Sequence, residues 1–307
     1  MDLVLSTMWA IGRVARVADF WQEAQRLGCW AVELNHQVTM ELLDEARALH
    51  AQGRLLVSSV HDPCPTRPGG LGVAPQLSAA DERERREAVR HTVGTIELAA
   101  ALGARAVVVH AGRVDIPAER EHEVRQRWRT LGPSRAVDDP EYGVLLRELL
   151  DERARRREMA LQAVEASLEE IGPIARQLGV SLGLENRYFI LEIPALDEVD
   201  RLTRACPPGT AFYWHDTGHA QVLANLGVTP HEAWLDRYRD VTLGCHLHDV
   251  TDLDDHQPPG QGSIDFAWVL RQIPSTALKV VEVAPRFDVE RLAHGLGHLR
   301  RAASGLA

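Results

Sequence analysis

Seven short apolar runs in this chain of 307 residues end in a side chain able to hold a metal ion or a proton. AVELN carries Glu33, SSVHDP carries His61, VVVHAG carries His110 and LGLENR carries Glu185. FYWHDTGHA supplies Asp216 and His219, GCHLHD supplies His246, His248 and Asp249, and VVEVAP supplies Glu282. A charge just past a buried strand is costly unless it is paired or bound to a cation. Singly, each residue has an ordinary explanation: a strand-end His is often satisfied in the core, as His215 and His248 could be, and a Glu often pairs with Arg. Together, carboxylates and imidazoles brought into one volume would repel one another without a cation, so the joint pattern points to a shared site. Mixed His and carboxylate donors suit Zn, Mn, Fe or Co better than Ca. After the seventh run come Asp254, Asp255 and His256, then PPGQG. This stretch reads either as a surface turn or as a ligand pair bending back over the site, with Gly260 and Gly262 permitting a tight approach.

The elements that must position these groups alternate. Apolar runs at 3–6, 31–34, 55–60, 106–110, 181–185, 211–214, 242–247 and 278–283 read as strands, several of them apolar on both faces. Amphipathic stretches at 15–27, 40–51, 79–102, 161–178, 196–204, 230–238, 264–272 and 289–301 read as helices, with Ser78 as a cap before the third and Gly179 closing the fourth. Eight strands each followed by a helix give a (β/α)8 TIM barrel, which gathers its strand ends into one ring and places its sites at their C-terminal face. One domain of 307 residues is expected, with a charged helical insertion over 114–157 after the fourth strand. Such an insertion reads as a solvated helical pair or as a cover over the barrel mouth.

Composition sets the remaining bounds. Hydrophobic residues make up 45% and charged residues 25%, as in a soluble globular protein. Cys29, Cys64, Cys206 and Cys245 form no C-x-x-C pair and read as reduced core thiols, although Cys64 follows His61 closely enough for a metal role to be considered. No signal peptide and no membrane-length apolar run is evident, so a cytoplasmic location without membrane association is expected. A net charge of −10 argues against a nucleic-acid partner.

At LEN (Glu185), HDTGHA (Asp216 and His219), HLHD (His246) and DDHQPPGQGSIDF leading to Glu282, the chain resembles the xylose isomerase-like TIM-barrel superfamily, which includes sugar isomerases and epimerases and the endonuclease IV family of abasic-site nucleases. The epimerase branch implies one divalent ion (Zn, Mn, Mg or Co) on Glu185, Asp216, His246 and Glu282. It also implies proton exchange by Glu185 and Glu282 through an enediolate, and substrate contacts from Glu33, His219 and His248. The nuclease branch implies up to three Zn ions on His61, His110, Glu185, Asp216, His219, His246, Asp254, His256 and Glu282. The chain departs from that branch: HDPCPTRPGG lacks the DNA-contacting aromatic, HLHD replaces HLND, and the long charged insertion is foreign to it. Arg187 and Arg286 could bind an anion or pair with carboxylates, and Trp9 and Trp214 could wall an apolar part of the substrate. The expected activity is therefore isomerisation or epimerisation of a small sugar-like substrate. Abasic-site phosphodiester hydrolysis and non-catalytic binding of a metal or small ligand are the alternatives.

Overall fold

Eight parallel strands close on themselves in the computed structural model, which describes residues 1–65, 76–136 and 138–305. They are β1 (Val4–Ser6), β2 (Ala31–Leu34), β3 (Val57–His61), β4 (Ala106–Val109), β5 (Ser181–Glu185), β6 (Ala211–Asp216), β7 (Thr242–Leu247) and β8 (Leu278–Val281). Each pairs with its sequence neighbours, and β1 pairs with β8, so the fold is a (β/α)8 TIM barrel.

The period of two along each strand decides what faces the barrel axis. Val4, Ala31, Ala106, Val108, Trp214, Leu243, Leu278 and Val280 pack together as the interior plug. Two residues beyond inward-facing Val4, Ala31, Val108, Trp214 and Val280 come Ser6, Glu33, His110, Asp216 and Glu282. The polar residues therefore form the next layer up, on the same inward face. Trp214 fills the floor of that layer. A Cβ on Gly183 would meet its ring at 2.8 Å and one on Gly244 at 2.4 Å, so the glycines in LGLEN and TLGCHL make room for the indole. Trp214 is therefore a buried support under His246 rather than a substrate wall, with ring centroids 5.2 Å apart.

The helices are α1 (Val17–Arg26), α2 (Met40–Ala51), α3 (Glu82–Ala101), α4 (Ala118–Leu131), α5 (Pro140–Leu178), α6 (Val199–Thr203), α7 (Thr217–Asn225), α8 (His231–Tyr238), α9 (Phe266–Gln272) and α10 (Val289–Ser304). Three differ from expectation. Helix α3 is capped by Asp81, not Ser78, whose hydroxyl instead bonds both the amide and the carbonyl of Arg113. Helix α7 follows β6 directly because Asp216 is its N-cap, accepting the His219 amide at 2.7 Å. The stretch 114–157 is not separate from the barrel helix after it: α5 runs unbroken for 39 residues to its αL cap at Gly179.

Helices α4 and α5 lie against the rim beyond β4 to β6. Trp128 and Tyr142 donate to the carbonyls of Asn225 and Leu226 at the end of α7. Buried Arg153 holds Glu198 with two bonds of 2.7 and 2.9 Å. Arg153→Met is expected to lower stability by about 2 kcal/mol, because the Glu198 carboxylate stays buried with only Arg157 and one amide to neutralise it. A urea midpoint unchanged from wild type would contradict this.

All four cysteines are buried and unpaired, burial pushes the Cys64 thiol up to about 12, and Cys64 belongs to none of the candidate donor groups among the described residues. Among the described residues no helix is long and apolar enough to cross a membrane.

Candidate metal centre

His246 lies at the middle of the polar layer. Its Nδ1 is 2.5 Å from Glu185 Oε1, 3.3 Å from Glu282 Oε2 and 3.5 Å from Asp216 Oδ2. Donor atoms of Glu185, Asp216, His246 and Glu282 all lie within 4.8 Å of one another, on four strands that adjoin in the barrel, and all four residues are buried. Three carboxylates crowded in a buried space around one imidazole call for more positive charge than one histidine carries. The donor set and its spacing fit a divalent cation.

The charges respond to one another. Burial alone would pull the His246 pKa down, but the carboxylates of Glu282, Glu33 and Glu185 hold it well above the ordinary value. Burial would raise Glu185, yet Arg187 and His246 keep it well below the usual carboxylate range. Asp216 is likewise held low against its burial by His219 and His248.

Other residues of the ring hold these donors in place. Glu33 is wholly buried, accepts the Ser59 hydroxyl at 2.7 Å and meets His246 Nε2 at 3.0 Å. It fixes the imidazole, as carboxylates commonly do for metal-binding histidines, and both of its oxygens are engaged within the ring, where the resemblance implied a substrate contact. His248 also differs from that expectation. Its Nδ1 accepts the His256 amide at 2.9 Å and its Nε2 faces Asp216 at 2.9 Å, so both nitrogens are engaged within the protein and the second of them orients the aspartate. The Ser6 hydroxyl donates to Glu282.

The histidines at the flanks are presented with a free nitrogen. His61 Nδ1 is bonded to the Asp62 carbonyl and His219 Nδ1 to the Asn186 carbonyl, which leaves each Nε2 as the lone-pair atom. Burial lowers the pKa of both, so they are neutral. His110 Nε2 approaches Glu185 Oε2 at 2.9 Å, and Arg187 bonds both of them. Beyond the central four, His61, His110 and Glu185 form one candidate donor group and His219, His248 and His256 another, and His61 also forms one with His246 and Glu282.

Asp254 is brought to none of them. It lies exposed on the ribbon formed by Asp249–Thr251 and Asp254–Gln257, where Arg286 binds it at 2.9 Å. Its neighbour Asp255 turns inward instead, 3.0 Å from His256 and 3.7 Å from His219. Gly260 and Gly262 do allow close approaches, but to His298 and the Val250 carbonyl rather than to the site. Trp9 is buried and its indole donates to the Phe287 carbonyl, bracing the β1 and β8 loops together. Part of the segment HDPCPTRPGG in which the aromatic was missing, 66–70, lies outside the described residues.

Sequence reasoning passed over Glu192. Gly112–Arg113 and Glu192–Ile193 form a small antiparallel ribbon that carries Glu192 to Arg187 at 3.2 Å, and Arg187 lowers its pKa against burial. Its only signal was its place on the strand-five continuation NRYFILEIP.

A closed eight-stranded parallel barrel wrapped in helices, with an acidic and imidazole ring at its C-terminal mouth, places the chain among the TIM barrels. The chain belongs to the xylose isomerase-like TIM-barrel family, whose model matches residues 21–302. No curated protein matches it in sequence. A D-tagatose 3-epimerase-like protein superposes with a TM-score of 0.69 at 16% identity, over 100% of this chain and 98% of its own. The 3-keto-D-glucoside 4-epimerase of E. coli gives 0.68 at 16%, over 98% and 99%. An IOLI protein with a bound zinc atom gives 0.68 at 13%, over 100% and 98%. At these identities the likeness is one of fold.

Proposed function

We propose that the protein is a divalent-metal-dependent isomerase or epimerase of a sugar or related polyhydroxy carbonyl compound. The observation that carries this reading is the convergence of Glu185, Asp216, His246 and Glu282 within 4.8 Å in a buried layer. These four would hold one ion, of Zn, Mn, Mg or Co, which when bound supplies a Lewis acid for adjacent carbonyl and hydroxyl oxygens. Glu185 on β5 and Glu282 after β8 are the two carboxylates placed to take a proton from carbon and return one. The free Nε2 of His219 accepts a substrate hydroxyl. Glu33 and His248 hold His246 and Asp216 in the orientations that task requires. The names of the fold neighbours, one an epimerase, one epimerase-like and a third with bound zinc, agree with the reading.

The test is incorporation of solvent deuterium at C3 of ketoses, run beside metal analysis. Label entering the substrate with about one ion per chain is the expected result; a loaded enzyme that exchanges no carbon-bound proton in any ketose would reject it. Loading should also release protons. The carboxylates around His246 raise its affinity for a proton, and an ion needs the same Nδ1 lone pair. Metal affinity is therefore expected to fall as pH falls, and an indicator dye should report acid on addition of the ion. Affinity independent of pH would place the ion elsewhere.

The three further histidine-containing groups favour a second reading, a trinuclear zinc phosphodiesterase acting at abasic sites. It loses Asp254 to Arg286 and meets Arg187 against the His110 and Glu185 pair. Three zinc ions per chain together with incision of an abasic duplex would establish it over the first.

A further inference from the structure

Beside the candidate metal centre a cavity of about 610 Å³ runs out from His110, Arg187 and Glu192 to the inner side of α4. Its walls are rich in cationic side chains: Arg113, Arg125, Arg129 and Arg187, with His91, His110 and His122 among them. The three carboxylates in the same walls are already occupied. Asp62 accepts the Thr92 and Thr95 hydroxyls, both at 2.7 Å. Glu121 accepts Arg125 Nε and the amides of Ile190 and Leu191. Glu192 accepts Arg187 and the amide of Phe189.

The donors are not. Buried side-chain atoms without a partner are rare in folded proteins and ask for an explanation. Among the described residues seven such atoms occur, and three of them, His91 Nε2, Arg125 NH1 and Arg187 Nε, belong to residues lining this one cavity. Arg125 is the most constrained. It is 3% exposed, its Nε and NH2 are fixed by Glu121 and the Tyr188 carbonyl, and its guanidinium lies 4.2 Å from the Tyr188 ring centre and 4.8 Å from that of Phe189. The NH1 atom itself is closed off from the cavity, so Arg125 gives the wall a fixed positive charge, while half-buried Arg113 and exposed Arg129 have the N–H groups open to a planar or tetrahedral oxyanion. Arg113 and Arg129 add charge without any carboxylate of their own among the described residues.

We infer that this cavity is an anion subsite and that the substrate is an acidic sugar derivative, with a carboxylate or phosphate held by Arg113 and Arg129 beside the fixed charge of Arg125 while its carbonyl end reaches past Arg187 toward the centre. The inference rests on the isomerase reading for the second half of that statement only. Helix α4, part of the long connection after β4, is then a specificity element of the active site.

Calorimetric titration of the full chain with a neutral ketose, the same ketose phosphorylated at its far end, a keto-sugar acid and inorganic phosphate tests it. One anionic sugar is expected to bind about tenfold or more tighter than the neutral one, with the advantage shrinking as salt is raised. The phosphorylated and carboxylated arms tell the two oxyanions apart. Arg113→Gln and Arg129→Gln should each erase most of that advantage, read within each variant as the ratio of anionic to neutral affinity. Equal affinity for neutral and anionic forms, or an advantage that survives both substitutions, overturns the subsite. Arginine-dependent binding of inorganic phosphate in a protein that exchanges no sugar proton would uphold the subsite and reject the isomerase reading.

Discussion

Replacing Glu185 with glutamine is expected to reduce turnover by about 10³-fold or more, because it removes at one stroke an anionic donor of the centre and one of the two proton-transferring carboxylates. The substitution preserves shape. Glu185 is 1% exposed and its oxygens meet His246, His110 and Arg187, all of which an amide of the same size still contacts. Arg187 retains Glu192 as a counter-charge, so the variant should fold, which circular dichroism will show. Metal content should fall with activity, since one of four donors has lost its charge. A Glu185→Gln protein that keeps its full rate on a substrate of the wild type would remove Glu185 from the chemistry and, with it, the proposed site.

Much of that site was legible because a parallel barrel converts a one-dimensional pattern into a ring. Glu185, Asp216, His246 and Glu282 each end an apolar run, and closing the sheet leaves them no place but its rim. The same logic could not say which ring members face a substrate and which stand behind a ligand. Glu33 and His248 carry the same residue types as donors, and only the cross-strand register, Glu33 beside Ser59 and Asp216 beside His246, shows that they support their neighbours. The Asp254 and Asp255 choice turned on a ribbon with left-handed residues at Asp252 and His256, which alternation alone does not reveal. Helix α7 was missed because its cap is Asp216, whose side chain read as a site residue and is also a helix start. Arg125 and Glu121 sat inside a run of charges that reads as a solvated face. What buries them is the loop Tyr188 to Leu191, more than 60 residues away, and separation on that scale carries no local signal.

Glu33 offers the sharpest separation between a residue that supports a ligand and one that touches a substrate. Glu33→Gln should weaken metal binding by about ten- to a hundredfold, because the amide cannot supply the charge that holds the imidazole and makes it a better donor. The residue lies beside His246, fully buried, with one oxygen on the imidazole and the second taken by Ser59. At saturating metal the variant is therefore expected to recover most of its kcat with KM for the sugar unchanged, and Glu33→Ala should show a larger loss of metal affinity with the same rescue. Burial raises the Glu33 pKa despite the pull of His246, so lowering the pH should cost the wild type part of the same support and narrow the gap between it and Glu33→Gln. If instead KM for the sugar rose in Glu33→Gln while metal affinity held, the carboxylate would be a substrate contact after all, and His246 would need another partner to fix its orientation.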